Sequence, residues 1–168
     1  MKLFEGLLPA FTFLTTLPLG GLGRESENAP PGKMFGFFPL VGLVIGMILG
    51  VVASITFLPR DLTAFLVLVA WVGVTGGLHL DGLADSCDGL FATVAPERRL
   101  EIMRDPRAGS WAVIGVGLIL LGKWVALRNV SPAMLLLPPV AGRWAMVLAV
   151  AMFPGARSKR SRHYAAAP

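Results

Sequence analysis

Three aspartates, Asp81, Asp85 and Asp88, follow one another at intervals of four and three residues, with no basic residue among them. On a helix turning about 100° per residue they fall within roughly 60° of one another, on one face. Carboxylates held so close repel one another unless a positive charge lies between them. Oxygen donors alone suit a hard divalent cation, and Mg²⁺ held by few carboxylates completes its shell with water and substrate phosphates. The spacing therefore points to metal-assisted phosphoryl chemistry, with Asp81, Asp85 and Asp88 as metal ligands and catalytic groups.

Other residues of the same chemical kind lie nearby or further along. Asp105-Pro106-Arg107 is a compact turn just before an apolar stretch. It would hold an acid and a base at the membrane face that carries the aspartates, and both are assigned to the substrate-binding site. Arg143 stands inside an apolar segment beside Gly142 and Trp144. Arginine is expensive within a membrane and faces a polar partner there, for which a substrate phosphate or one of the aspartates is suited. His79 precedes Asp81 by two residues, so a continuous helix would turn it away from the aspartate face. The preceding Gly76-Gly77 pair could break that helix or admit a ligand to the backbone, and His79 is kept as a substrate-binding candidate on that account. Cys87, the single cysteine, excludes an internal disulfide and reads as a small space-filler, because a soft thiolate matches a hard cation poorly. Lys123 is expected to extend to the membrane interface.

The elements that must position these groups are apolar. Of 168 residues, 55% are hydrophobic and only 15% charged, where a soluble domain carries nearer a quarter. Stretches 34–58, 62–80, 109–127 and 132–153 approach or exceed the roughly 20 residues that cross a bilayer. The expected fold is an all-α integral membrane protein: a polytopic helical bundle with about four transmembrane helices, preceded by an interfacial or re-entrant helix that ends at Thr15-Thr16-Leu17-Pro18. Lys2 followed by an apolar run superficially resembles a signal peptide, but Glu5 and Pro9 interrupt it and no small-residue cleavage site follows. Residues 20–33, rich in Gly and Pro, are expected to form a loop. A short surface helix is expected from Pro96, stopping before Pro106. Gly42, Gly46 and Gly50 make a smooth stripe for close helix packing within the chain, with oligomerisation left open.

Lysine and arginine orient the bundle. Outside the apolar stretches, eleven lie in the N-terminal region, the loop after the second stretch and the tail, against two in the alternate loops. The positive-inside rule then puts both termini and the aspartate loop in the cytoplasm, at the inner membrane of the cell. The net charge of +5 reads as topology and attraction to the anionic lipid bilayer; nucleic acid is excluded as a partner, since no basic stripe is interleaved with aromatics.

Gly76-Gly-Leu-His-Leu-Asp-Gly-Leu-Ala-Asp-Ser-Cys-Asp-Gly-Leu90 resembles the hallmark of the adenosylcobinamide-GDP ribazoletransferase family, also called cobalamin 5′-phosphate synthases. Phe13-Leu-Thr-Thr-Leu-Pro18, Phe38-Pro-Leu-Val-Gly42, Arg99-Leu-Glu-Ile-Met-Arg-Asp105 and Gly142-Arg-Trp144 continue the resemblance in order. It implies the last assembly step of cobalamin biosynthesis, in which adenosylcobinamide-GDP is joined to α-ribazole or its 5′-phosphate with Mg²⁺ and GMP is released. Carried onto this chain, Asp81, Asp85 and Asp88 would hold Mg²⁺ against the diphosphate. The resemblance covers residues 1–157, as a membrane-embedded domain, and leaves 158–168 as a basic tail; the family is about half as long again, so a C-terminally shortened member is expected. A CDP-alcohol phosphotransferase is the nearest alternative, but its Asp-Gly-x-x-Ala-Arg pattern fails, because Asp85 stands at the arginine position. An ion-coupled transporter would place Asp and Arg along a pathway, whereas here the aspartates cluster at the end of an apolar stretch, with no inverted repeat.

Overall fold

Residues 38–53 are apolar residues and glycine without a single charge, and they form a helix. In the computed structural model, which describes residues 6–19 and 31–153, the helices are α1 (Leu7–Leu14), α2 (Pro31–Phe35), α3 (Phe38–Ala53), α4 (Arg60–Thr75), α5 (Leu78–Phe91), α6 (Pro96–Ile102), α7 (Ser110–Leu127) and α8 (Leu137–Met152), the last entered through a 3₁₀ turn at Pro132–Leu136. Among the described residues there is no strand. The loop expected over 20–33 gives way to α2 at its end, and its earlier part lies outside the described residues, as do the tail 158–168 and the start of the chain.

α3 is the centre of the core. Phe38, Val41, Ile45 and Leu49 recur every three or four residues and are buried together with Leu14 of α1, Val67 of α4 and Leu135. Its glycine stripe receives α8: a Cβ on Gly42 would lie 2.5 Å from the Pro139 carbonyl oxygen, and one on Gly46 2.8 Å from Leu136 Cα. The stripe thus serves packing within the chain, as its spacing implies.

The stretch expected to run unbroken from Leu62 to Leu80 is two helices. Gly76 (φ 59°) and Gly77 (φ 71°) take the left-handed conformation that a Cβ penalises. Gly77 N–H donates to Val72 O and Gly76 N–H to Gly73 O, both at 3.2 Å, the Schellman pattern of a helix end. The chain then leaves at 89° as α5. Thr16, from the turn after α1, seals the exposed end of α4: its N–H donates to Val74 O at 2.8 Å and its hydroxyl to Gly73 O at 2.8 Å. The Val74 carbonyl gains a partner at the break, and the Gly73 carbonyl a second one beside the Gly76 N–H.

α7, of 18 residues, and the 21 residues from Pro132 to Met152 are long and apolar enough to cross a membrane, and the bent α4–α5 pair makes a third candidate if it is taken as one span. The expected count of about four does not follow from helix lengths alone. α3 has 16 residues, about 24 Å at 1.5 Å each, against a hydrocarbon core of about 30 Å. α7 buries only Ala112 and turns Val113, Leu118, Leu121 and Val125 outward, an apolar surface suited to lipid.

Candidate functional site

The glycine break decides where the aspartates go. Because α5 turns away from α4, its carboxylates lie along a helix running across the end of α4 rather than down its axis. Asp81, Asp85 and Asp88 share one cavity of about 290 Å³ with Arg104, Asp105 and Arg107. The Asp105–Arg107 turn and the aspartate helix are thus brought together, as the sequence suggests. Arg104, not singled out from the sequence, joins them, and its only local signal is its place beside Asp105.

Within the turn, acid and base hold each other. Arg107 Nε donates to Asp105 Oδ1 at 2.9 Å, Nη2 donates to Oδ2 at 2.7 Å, and the Arg107 backbone N–H reaches Oδ1 at 3.0 Å. Asp105 is held down to about 2 by the side-chain hydrogen bonds from Arg107 first and the backbone one second. The Arg107 guanidinium is pushed up by the same bonds. Asp105 therefore stays ionised at neutral pH and shapes the turn, while Arg107 presents its charge at the rim of the cavity.

The three motif aspartates are not equivalent. Asp88 Oδ2 accepts the Gly109 N–H at 2.6 Å and Oδ1 accepts the Ala112 N–H at 2.9 Å. Helix α7 has no side-chain cap of its own at Gly109, so Asp88 caps it from another helix, where a carboxylate also opposes the positive helix end. Gly109 permits this, because a Cβ there would lie 2.6 Å from Asp88 Oδ1. Asp81 and Asp85 make no hydrogen bond or ion pair among the described residues. Neighbours at i and i+4 have Cβ atoms about 5–6 Å apart.

Among the described residues no group of three or more His, Cys, Asp or Glu is arranged to hold a metal ion. The pair Asp81 and Asp85, lining a cavity together with two arginines, fits a habit of Mg²⁺, one or two carboxylates completed by phosphate oxygens.

His79 and Arg143 do not join this cavity. The break places His79 in the first turn of α5, with Nε2 3.3 Å from Met146 Sδ of α8. Arg143 is 3% exposed, and its Nε and Nη2 find no hydrogen-bond partner among the described residues. The aspartate partner considered for it is absent there. Lys123 Nζ lies 4.3 Å from the centre of the Trp71 ring, a cation–π contact. Nothing in the local sequence links position 123 to position 71. Cys87 is a buried filler, its Sγ in the space a Cβ on Gly115 would need.

The sequence model of the family described as cobalamin-5-phosphate synthase matches residues 6–167. Among curated relatives, an adenosylcobinamide-GDP ribazoletransferase of Roseiflexus sp. is 41% identical over 160 residues, which is 92% of this chain and 59% of that protein. Those of Desulforamulus reducens and Pseudomonas savastanoi pv. phaseolicola are 38% identical over 93% of this chain and 47% over 82%, covering 64% and 59% of their own lengths. The chain thus spans about three fifths of the length of the relatives it matches. No solved structure matches it.

Proposed function

Because this chain belongs to the cobalamin-5-phosphate synthase family, we propose that it is a Mg²⁺-dependent transferase joining adenosylcobinamide-GDP to α-ribazole or α-ribazole 5′-phosphate, with release of GMP. The observation that carries this reading is the cavity lined both by Asp81 and Asp85, two carboxylates without a hydrogen bond or ion pair among the described residues, and by the arginines Arg104 and Arg107. A diphosphate needs both signs of charge around it: donors for its oxygens, and acceptors for a cation that screens it.

Bound at Asp81 and Asp85, Mg²⁺ would neutralise charge on the diphosphate. Arg107, steadied by Asp105, offers charged N–H groups to phosphate oxygens at the rim. Asp88 fixes the entry of α7 against α5 and so sets the width of the cavity. In the transfer, the ribazole hydroxyl oxygen forms a bond to the cobinamide-side phosphorus and the bond from that phosphorus to the GMP oxygen breaks. The hydroxyl proton passes to Asp81 or Asp85, the carboxylates not engaged in capping.

The proposed setting is the inner membrane, with α3, α4, α7 and α8 crossing it, α5 and α6 at the cytoplasmic face and α1 at the interface. The excess of Lys and Arg in the segments around α5 and α6 supports this orientation. Cysteine introduced at Glu97 should then resist an impermeant thiol reagent in intact cells; labelling from outside would overturn it.

The direct test is GMP release by the purified chain from adenosylcobinamide-GDP with α-ribazole and Mg²⁺. Release should require both the cation and the acceptor, and Asp81→Asn and Asp85→Asn should each reduce it by about 100-fold or more. Failure of this chain under conditions where a full-length relative releases GMP would sink the proposal for it, and release of CMP from a CDP-alcohol would favour the rival phosphotransferase.

A further inference from the structure

Three basic side chains from three different helices lie within electrostatic reach of one another, outside the aspartate cavity. Arg143 of α8 is 3% exposed. His79 of α5 touches Met146, which lies three residues beyond Arg143 on α8. Lys123 of α7 stands over Trp71 of α4. His79 lies within electrostatic reach of both Lys123 and Arg143, and Lys123 within reach of Arg143. The ion pairs of the described residues that reach Arg98, Arg107 and Arg128 include none of these three.

A buried charge without a counter-ion is strongly unfavourable, and gathering further basic groups around it adds repulsion. The unpartnered atoms of Arg143 are Nε and Nη2, the edge of the guanidinium that grips two oxygens at once. At Arg107 the same two atoms close on Asp105 as a fork. His79 also sits in the first turn of α5, a 14-residue helix with no side-chain N-cap, whose leading amides and dipole favour an anion. A buried fork, an ammonium, an imidazole and a helix start therefore lie within electrostatic reach of one another, and a tetrahedral oxyanion with several oxygens matches them better than a single carboxylate.

We propose that buried Arg143, with the half-buried Lys123 and the exposed His79 beside it, forms a site for a phosphate group, separate from the Asp81–Asp85 cavity and independent of the transfer reaction. The phosphate could be that of a soluble phosphoester or of a lipid headgroup, since both present the same oxygens. In either case it would tie α5, α7 and α8 together at the level of the glycine break.

The experiment is thermal unfolding of the purified chain in a phosphate-free sugar detergent without divalent cations, compared with Arg143→Met and Lys123→Met. Without an anion, Arg143→Met should be at least as stable as the parent, because it removes an uncompensated buried charge. Inorganic pyrophosphate should raise the midpoint of the parent, with half-saturation shifted at least about tenfold in Arg143→Met and less in Lys123→Met. A response to pyrophosphate but not to phosphatidylglycerol assigns the site to a soluble ester, and the reverse assigns it to lipid. Equal responses in parent and Arg143→Met, no response to either anion, or an Arg143→Met protein less stable than the parent without anion would each overturn the proposal.

Discussion

Removing the Asp88 carboxylate should loosen α7 from α5, by an amount that follows from its two hydrogen bonds. Both oxygens accept backbone N–H groups, at 2.6 and 2.9 Å, from a helix end that has no other cap. Losing an N-cap costs about 0.5–2 kcal/mol, and a hydrogen bond to a charged group contributes about 1.5–3 kcal/mol net of its exchange with water. Because Asp88 is half-buried, the upper part of the capping range applies: about 2 kcal/mol for Asp88→Ala and about 1 kcal/mol for Asp88→Asn, which keeps one acceptor but no charge. Cys87 is the chain's single thiol, and it is buried against Gly115 of α7. Its rate of labelling by a thiol reagent therefore reports opening between α5 and α7. At about 1.4 kcal/mol per factor of ten, Asp88→Ala should speed labelling roughly 30-fold and Asp88→Asn roughly fivefold. Gly109→Ala should also speed it, because its Cβ would meet the Asp88 carboxylate. The double variant Asp88→Ala/Gly109→Ala should open less than the sum of the singles, since the first change removes the atoms with which the second collides. Unchanged labelling in Asp88→Ala, or additive effects in the double variant, would refute the capping role and return Asp88 to the metal site.

Two further outcomes follow from packing and charge. Gly46→Ala should lower the thermal midpoint, at a cost of about 1–3 kcal/mol, because its Cβ would press on backbone atoms of Leu135 and Leu136; Gly73→Ala, whose Cβ meets nothing within 4 Å, should leave the midpoint unchanged or slightly higher. Asp105 should titrate near 2 by carboxyl NMR. As its folded value is depressed, the Asp105–Arg107 contact is fully favourable above the ordinary value of 3.8 and is lost as pH falls through about 2; Arg107→Gln should return the midpoint towards 3.8.

Much of this protein is written in short-range pattern. The spacing of Asp81, Asp85 and Asp88 sets a helix with one acidic face, and α5 has it. The Gly42-Gly46-Gly50 stripe specifies a close helix contact, since only the missing Cβ atoms let two backbones approach, and α8 fills it. The family motif, too, is contiguous and therefore readable. What the sequence left open depends on partners far along the chain. The turn at Gly76-Gly77 is favoured by glycine, but Thr16, 57 residues before the Gly73 carbonyl it reaches, seals the end of α4 there. Asp88 looks identical to Asp81 and Asp85 in periodicity, yet amides 21 and 24 residues away occupy its oxygens. Arg143 and Lys123 each read as isolated charges in apolar segments, and only the packing of α7 on α4 and α5, and of α8 on α3, sets them within electrostatic reach of His79. Periodicity says which face a side chain takes; whether that face meets an amide, a ring or another charge is decided by contacts that only the folded bundle makes.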